Sequence, residues 1–176
     1  TLSSSSAASD VYKRQEKRRT HVELLTPALQ TYPWGSRTLL TEMRGEPSPS
    51  ATPEAELWFG SHPAAPATIG GVGLDEVIAD DPADQLGAQV RGRYGDSLPF
   101  LLKILAADSP LSIQAHPTAA QARAGYEGEN AAGIALDAPE RNYKDPNHKP
   151  ELLVALTPFR ALAGLRPAKQ LSLIHI

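Results

Sequence analysis

The segment from Ser112 to Pro117 carries three polar side chains at alternate positions, and their types suit metal binding. If the segment is a β-strand, Ser112, Gln114 and His116 point to one face, because successive side chains of a strand alternate between its two faces. Zinc accepts imidazole nitrogen and amide or carboxylate oxygen as ligands in four-coordinate sites. The common alternative for such a pattern is a polar strand face that is simply solvated.

A second polar run, residues 143–151, reads Tyr-Lys-Asp-Pro-Asn-His-Lys-Pro-Glu, and we name it the signature segment. Its two prolines restrict the backbone. Its last residue, Glu151, stands at the start of an apolar stretch and would place a carboxylate beside Gln114 and His116. Taken without other information, the residues favour the simpler alternative of a surface turn with solvated charges.

Lys103 is the one charged residue in the apolar run of residues 100–106. Burying an ammonium group among apolar side chains is costly unless the group is paired or binds an anion. If both faces of this strand are buried, Lys103 faces a cavity, and an anionic substrate would explain it. If the strand is amphipathic, Lys103 lies on the wet face, and both interpretations stay open.

Strands and helices must position these residues, and the sequence predicts both. Apolar or alternating runs predict strands at residues 22–25, 56–60, 100–106, 111–115 and 151–155. Helices are predicted near residues 74–90, in two parts (74–79 and 82–90), and at residues 118–127. Asp80 or Asp81 before Pro82, and Thr118, are the expected N-caps, and Ser36 is expected to cap a short helix through Leu40.

The composition is typical of a globular protein, with 41% hydrophobic and 21% charged residues. A net charge of −3 without a basic stripe argues against nucleic acid as a partner. No apolar run approaches the roughly 20 residues that span a bilayer, so no membrane partner is expected. The chain has no cysteine, which excludes disulfides and thiolate metal sites and fits a cytoplasmic protein. Sixteen prolines and thirteen glycines indicate many turns and a β-rich domain.

The two ends of the chain are related through the genetic code. Residues 10–15, Asp-Val-Tyr-Lys-Arg-Gln, can be encoded by GAT GTG TAT AAG AGA CAG. The reverse complement of that string translates to Leu-Ser-Leu-Ile-His-Ile, which is residues 171–176. The string resembles the end of a transposase-type sequencing adapter. We therefore expect residues 1–15, which would be disordered, and residues 171–176 to be adapter-derived, with residues 16–170 as the natural part.

The signature segment resembles that of the type I mannose-6-phosphate isomerases. Four further stretches resemble the same family and occur in its order: Tyr32-x-Trp34-Gly35-Ser36, Glu56-Leu57-Trp58, residues 98–103 (Leu-Pro-Phe-Leu-Leu-Lys) and residues 111–117 (Leu-Ser-Ile-Gln-Ala-His-Pro). The resemblance covers essentially all of residues 24–166. The long signature together with the Gln-x-His pair makes it specific.

The resemblance implies a mainly β fold with a helical insertion, a cupin-type β-barrel (jelly roll) that is incomplete in this chain. It implies one zinc ion per chain with Gln114, His116 and Glu151 as ligands, and a later histidine as the fourth. Lys103, Ser112 and Lys149 correspond to positions that line the substrate pocket. The family's catalytic arginine also lies beyond the part of the family that this chain matches.

The implied activity is the interconversion of mannose 6-phosphate and fructose 6-phosphate through an enediol, which supplies mannose for GDP-mannose synthesis. The implied partner is a hexose 6-phosphate substrate, and no protein partner is implied. A general base must move a proton between adjacent carbons, and Lys149 and His148 are the candidates. We expect the 176-residue chain alone to be poorly stable and inactive, since a barrel without its later strands keeps open edges.

Three alternatives differ in what the site does. A cupin oxygenase typically uses a His-x-His pair, whereas Gln114 stands at the first position here and suits redox-neutral zinc chemistry better. A non-catalytic or regulatory metal-binding cupin would share the fold and lack the later histidine or arginine. A domain without any site would bind no metal.

Overall fold

The computed structural model describes residues 22–162 and Gly164. The expected adapter-derived ends therefore lie outside the described residues. The chain divides into two compact units between Ser112 and Ile113. No helix among residues 22–162 is long and apolar enough to cross a membrane.

The first unit contains two antiparallel sheets of three short strands each. The first sheet has the strand order β1-β4-β5, with β1 at Leu25–Thr26, β4 at Thr68–Ile69 and β5 at Val72–Gly73. The second sheet has the order β2-β3-β6, with β2 at Ala28–Gln30, β3 at Glu56–Phe59 and β6 at Leu102–Leu105. These sheets and the intervening helices agree with the predicted mainly β fold with helical insertions. The strands do not close into a barrel in the described part of the chain.

Three of the four helices begin where the sequence predicts. In the first unit they are α1 at Leu39–Arg44, α2 at Leu74–Asp80 and α3 at Pro82–Tyr94, and in the second unit α4 at Ala119–Ala131. The Asp81 side chain accepts a hydrogen bond from the backbone N–H of Asp84, and Pro82 occupies the first turn of α3. Thr118 and Gln121 form a reciprocal capping box at the start of α4.

The short helix α1 begins later than expected and extends further. The Oγ of Ser36 accepts hydrogen bonds from the backbone N–H groups of Thr38 and Leu39, at 3.2 and 3.3 Å. Ser36 therefore satisfies N–H groups at the start of the helix, but the N-cap residue is Thr38 rather than the predicted Ser36, and the helix runs to Arg44.

The second sheet has one apolar face and one polar face. Leu57 pairs with Ile104, and both pack in a cluster with Leu40, Ala106 and Phe59. Trp58 pairs with Lys103 in the same ladder. Because side chains alternate along a strand, Trp58, Lys103 and Glu56 lie on the face opposite the apolar cluster.

The predicted strands at residues 111–115 and 151–155 are not formed. Neither stretch joins a ladder among the described residues, and Ile113 and Leu152 are almost fully exposed. A strand needs a partner for its backbone N–H and C=O groups. The apolar patterns of both stretches predicted strands, but the described part of the chain contains no strand that pairs with them. The predicted strand at residues 22–25 is confirmed only at its end, where β1 begins at Leu25.

In the second unit, the end of α4 holds the start of the signature segment. The buried guanidinium of Arg141 donates to the carbonyl oxygens of Ile134 and Tyr143, at 2.6 and 2.7 Å, and to the Oδ1 of Asn130 at 2.8 Å. The Glu129 carboxylate lies 3.1 Å from Nε of Arg141 and accepts the backbone N–H of Tyr143 at 2.8 Å. These contacts fix Tyr143 against the helix.

Two glycines of α4 provide a direct test of this packing. A methyl group added at Gly125 would lie 2.5 Å from Cζ of Tyr143, whereas nothing lies within 4 Å at Gly128. We expect Gly125→Ala to displace the Tyr143 ring and to lower the free energy of unfolding by about 1–3 kcal/mol. Gly128→Ala should raise it by roughly 0.5–1 kcal/mol, because alanine favours the helix. Urea unfolding of both variants measures the difference, and equal effects of the same sign would contradict the packing.

Candidate metal centre

Two of the three predicted metal ligands lie together in the second unit. Nε2 of His116 is 3.5 Å from Oε2 of Glu151. Two ligand atoms about 2.0–2.1 Å from a tetrahedral zinc ion would lie about 3.3 Å apart, so this separation is close to that of two zinc ligands. Gln114 is exposed two residues before His116, and no hydrogen bond among the described residues joins its side chain to the other two.

A backbone carbonyl contacts one nitrogen of the His116 ring. Nδ1 of His116 is 2.6 Å from the carbonyl oxygen of Lys149. A carbonyl oxygen can only accept a hydrogen bond, so Nδ1 carries the proton and donates it. The lone pair of the neutral ring is then on Nε2, the atom that faces Glu151, which is the state that binds a metal ion.

The donor set fits zinc only if an amide oxygen takes part. Among the residues that the structure describes, no group of three or more histidine, cysteine, aspartate or glutamate side chains is placed to hold a metal ion. The imidazole of His116 and the carboxylate of Glu151 supply two suitable donors. The amide oxygen of Gln114 is a third of acceptable type, on the same short segment as His116.

An ion pair joins two residues within the signature segment. Nζ of Lys149 is 2.8 Å from Oδ2 of Asp145, and Oδ1 of Asp145 accepts the backbone N–H of Asn147 at 2.9 Å. Partial burial raises the pKa of Asp145, but the hydrogen bonds from Lys149 and Asn147 outweigh it and leave the pKa below its ordinary value. The Lys149 ammonium is therefore engaged by a carboxylate, and its neighbour His148 is exposed.

Lys103 has a partner that the sequence did not indicate. Its Nζ lies 3.7 Å from Oε1 of Glu56 and 4.8 Å from the centroid of the Trp58 ring. Glu56 is only 6% exposed, and its Oε2 accepts the indole N–H of Trp58 at 2.7 Å. Lys103 itself keeps 37% of its side chain exposed. The strand is thus amphipathic, and the ammonium is both paired and accessible. Ser112, the third proposed substrate contact, is exposed.

The chain is similar to known proteins over most of its length. A profile of the family "Phosphomannose isomerase type I, catalytic domain" matches residues 22–168. The chain belongs to the type I phosphomannose isomerase family. The family predicted from the signature segment is thereby confirmed.

Mannose-6-phosphate isomerase of Escherichia coli (strain K12) is 49% identical over 150 residues, covering 82% of this chain and 38% of that protein. The human mannose-6-phosphate isomerase is 38% identical over 163 residues, covering 84% of this chain and 35% of that protein.

Solved phosphomannose isomerase structures share the fold. A zinc-bound mannose 6-phosphate isomerase matches with a TM-score of 0.66 and 47% identity, over 72% of this chain and 33% of that one. The Salmonella typhimurium enzyme bound to fructose 6-phosphate and zinc matches with a TM-score of 0.66 and 48% identity, over the same shares. These likenesses confirm the predicted fold class. The chain spans about 38% of the length of the bacterial relatives it matches.

Three features of the chain were not predicted from its sequence. The sequence predicted Glu56 only as the first residue of a strand. Glu56 and Trp58 are two residues apart, however, and in a strand this spacing places both side chains on one face. The Arg141–Glu129 contact and the Asp145–Lys149 pair are the other two features, and the sequence indicates them less clearly than it indicates the position of Glu56. Opposite charges four residues apart mark the second pair, but its geometry depends on the irregular backbone of residues 145–149.

Proposed function

We propose that the full-length protein that contains this chain is a zinc-dependent aldose–ketose isomerase, which interconverts mannose 6-phosphate and fructose 6-phosphate through an enediol. The observation that carries the proposal is the His116–Glu151 pair, whose Nε2 and Oε2 atoms lie 3.5 Å apart while Nδ1 of the same ring faces the Lys149 carbonyl. Family membership supports the reaction. The relatives named above supply the substrate and the metal of the proposal.

Zinc is the proposed cofactor, one ion per chain, held by Gln114, His116 and Glu151 together with a histidine from a later part of the family fold. When bound, zinc acts as a Lewis acid that polarises the substrate oxygens and stabilises negative charge on them. The Lys149 carbonyl keeps the proton on Nδ1 of His116 and so keeps Nε2 free to bind the ion.

The remaining proposed roles concern the substrate. Lys103, Ser112 and Lys149 bind the hexose 6-phosphate, and the ammonium of Lys103 is suited to the phosphate because it is charged and accessible. Moving a proton between adjacent carbons requires a general base, and the candidates in this chain are Lys149 and His148. The engaged ammonium of Lys149 favours a binding role for that residue. The family's arginine belongs to a later part of the fold.

The proposal extends to the setting of the reaction. A cytoplasmic location fits the absence of cysteine, and a supply of mannose for GDP-mannose synthesis follows from the family resemblance. We expect the 176-residue chain alone to show no turnover, because it provides three of the four proposed ligands and spans only about 38% of its bacterial relatives.

The test is an isomerase assay of the purified full-length protein with mannose 6-phosphate, before and after removal of metal by a chelator. We expect turnover that is lost with the metal and restored by zinc. Zinc binding without turnover would instead support a non-catalytic, metal-binding cupin. Turnover that persists in metal-free protein would refute zinc dependence.

A further inference from the structure

The turn of residues 145–149 is organised by one side chain. Asp145 uses its two carboxylate oxygens separately, Oδ1 for the backbone N–H of Asn147 at 2.9 Å and Oδ2 for the ammonium of Lys149 at 2.8 Å. The side chain thus joins the start of the turn to its middle and its end. Pro146 and Pro150 follow the two ends and limit the conformations that the backbone can adopt.

The end of this turn presents the carbonyl group that contacts the metal centre. The Lys149 oxygen lies 2.6 Å from Nδ1 of His116, a residue 33 positions earlier in the sequence. Two residues after Lys149, Glu151 faces Nε2 of the same ring at 3.5 Å. The position of the Lys149 backbone therefore affects both the orientation of the His116 ring and the approach of the second ligand.

The upstream side of the turn is anchored independently of Asp145. Tyr143 is held by Arg141, through its carbonyl, and by Glu129, through its N–H group. Loss of the Asp145 contacts would therefore free residues 145–149 without releasing the signature segment from α4. This arrangement separates a local effect on the metal centre from a general effect on folding.

We infer that Asp145 is a positioning residue of the metal centre, which acts through the Lys149 carbonyl on His116. The inference rests on the proposed function, since it assigns Asp145 to the same zinc site. Asp145 touches none of the three ligands in the contacts above. Its carboxylate shapes the turn whose Lys149 carbonyl contacts Nδ1 of His116 and so holds Nε2 of the ring toward Glu151.

The main test measures zinc affinity of the full-length protein by competition with a chromophoric chelator. Asp145→Asn retains an oxygen that can accept the Asn147 N–H but loses the charge that binds Lys149. We expect zinc affinity to fall about 10- to 100-fold, the range for loss of groups that orient metal ligands. Lys149→Met removes the other partner and should weaken zinc binding similarly, and the double variant should be no weaker than either single one. Asp96→Asn, which removes the same charge from the exposed Arg91–Asp96 pair, is the matched control and should leave zinc affinity unchanged.

A second readout does not depend on zinc. Nitrogen-15 NMR of the His116 ring in metal-free protein should show a protonated, hydrogen-bonded Nδ1 in the wild type and a weaker hydrogen bond at Nδ1 in Asp145→Asn. Unchanged zinc affinity and an unchanged Nδ1 hydrogen bond in Asp145→Asn would overturn the inference while leaving the proposed function intact. A wild-type protein that binds no zinc would overturn both. A fall in zinc affinity matched by an equal fall after Asp96→Asn would also overturn the inference.

Discussion

Replacement of His116 by alanine is expected to remove bound zinc and to lower kcat/KM about 10³-fold or more. The imidazole is one of the two nitrogen donors in the proposed ligand set, and its loss leaves a position of the four-coordinate site without a protein ligand. A bound metal contributes several kcal/mol of transition-state stabilisation, and each 1.4 kcal/mol corresponds to about a factor of ten in rate. Zinc content by mass spectrometry and steady-state kinetics of the full-length protein measure the two effects.

A matched pair of glutamate substitutions controls for general effects of the change. Glu151→Gln should reduce zinc content because it replaces a charged ligand by a neutral amide. Glu127→Gln makes the same change at an exposed position of α4 and should alter neither zinc content nor rate. Full zinc content in both His116→Ala and Glu151→Gln would show that the metal, if required, binds elsewhere.

Replacement of Lys103 by methionine is expected to raise the KM for mannose 6-phosphate about 10- to 100-fold, with a smaller change in kcat. The estimate assumes loss of one charge-assisted hydrogen bond to the phosphate, which contributes about 1.5–3 kcal/mol. Lys103→Arg keeps a cation and should recover part of the affinity. Lys144→Met removes the same charge from an exposed position of the signature segment and should leave KM unchanged.

Lys103→Met should also lower the stability of the fold, and this effect must be distinguished from the loss of substrate binding. Lys103→Met leaves the buried Glu56 carboxylate with the Trp58 indole but without its cation, so the melting temperature should fall. Adding Glu56→Gln removes the unpaired charge and should restore stability without restoring KM. A KM that returns to the wild-type value in the double variant would contradict a direct contact between Lys103 and the substrate.

Local signals in the sequence were enough to predict α2, α3 and α4. Asp81 before Pro82 and Thr118 before an alanine-rich stretch satisfy backbone N–H groups within three residues, so their effect does not depend on the rest of the fold. The strands β3 and β6 were also predicted, from runs that are apolar except for Glu56 and Lys103, and the structure shows that the two pair with each other. The stretches at residues 111–115 and 151–155 have equally apolar patterns but no ladder partner among the described residues.

Contacts distant in sequence set the chemistry of the candidate site and could not be predicted from local patterns. The proton of the His116 ring is fixed by a carbonyl 33 residues away, and the ammonium of Lys103 is balanced by Glu56 through the register of two strands. The types of the candidate ligands followed from the family resemblance. Their distances and hydrogen-bond partners required the structure.

The most direct test of the metal centre is a crystal structure of the full-length protein grown with zinc, with anomalous scattering recorded at the zinc absorption edge. We predict a single strong peak within about 2.0–2.2 Å of Nε2 of His116, a carboxylate oxygen of Glu151 and the amide oxygen of Gln114. Nδ1 of His116 should still donate to the Lys149 carbonyl, as it does here. A peak bound by other side chains, with His116 and Glu151 contacting only each other, would contradict the proposed site.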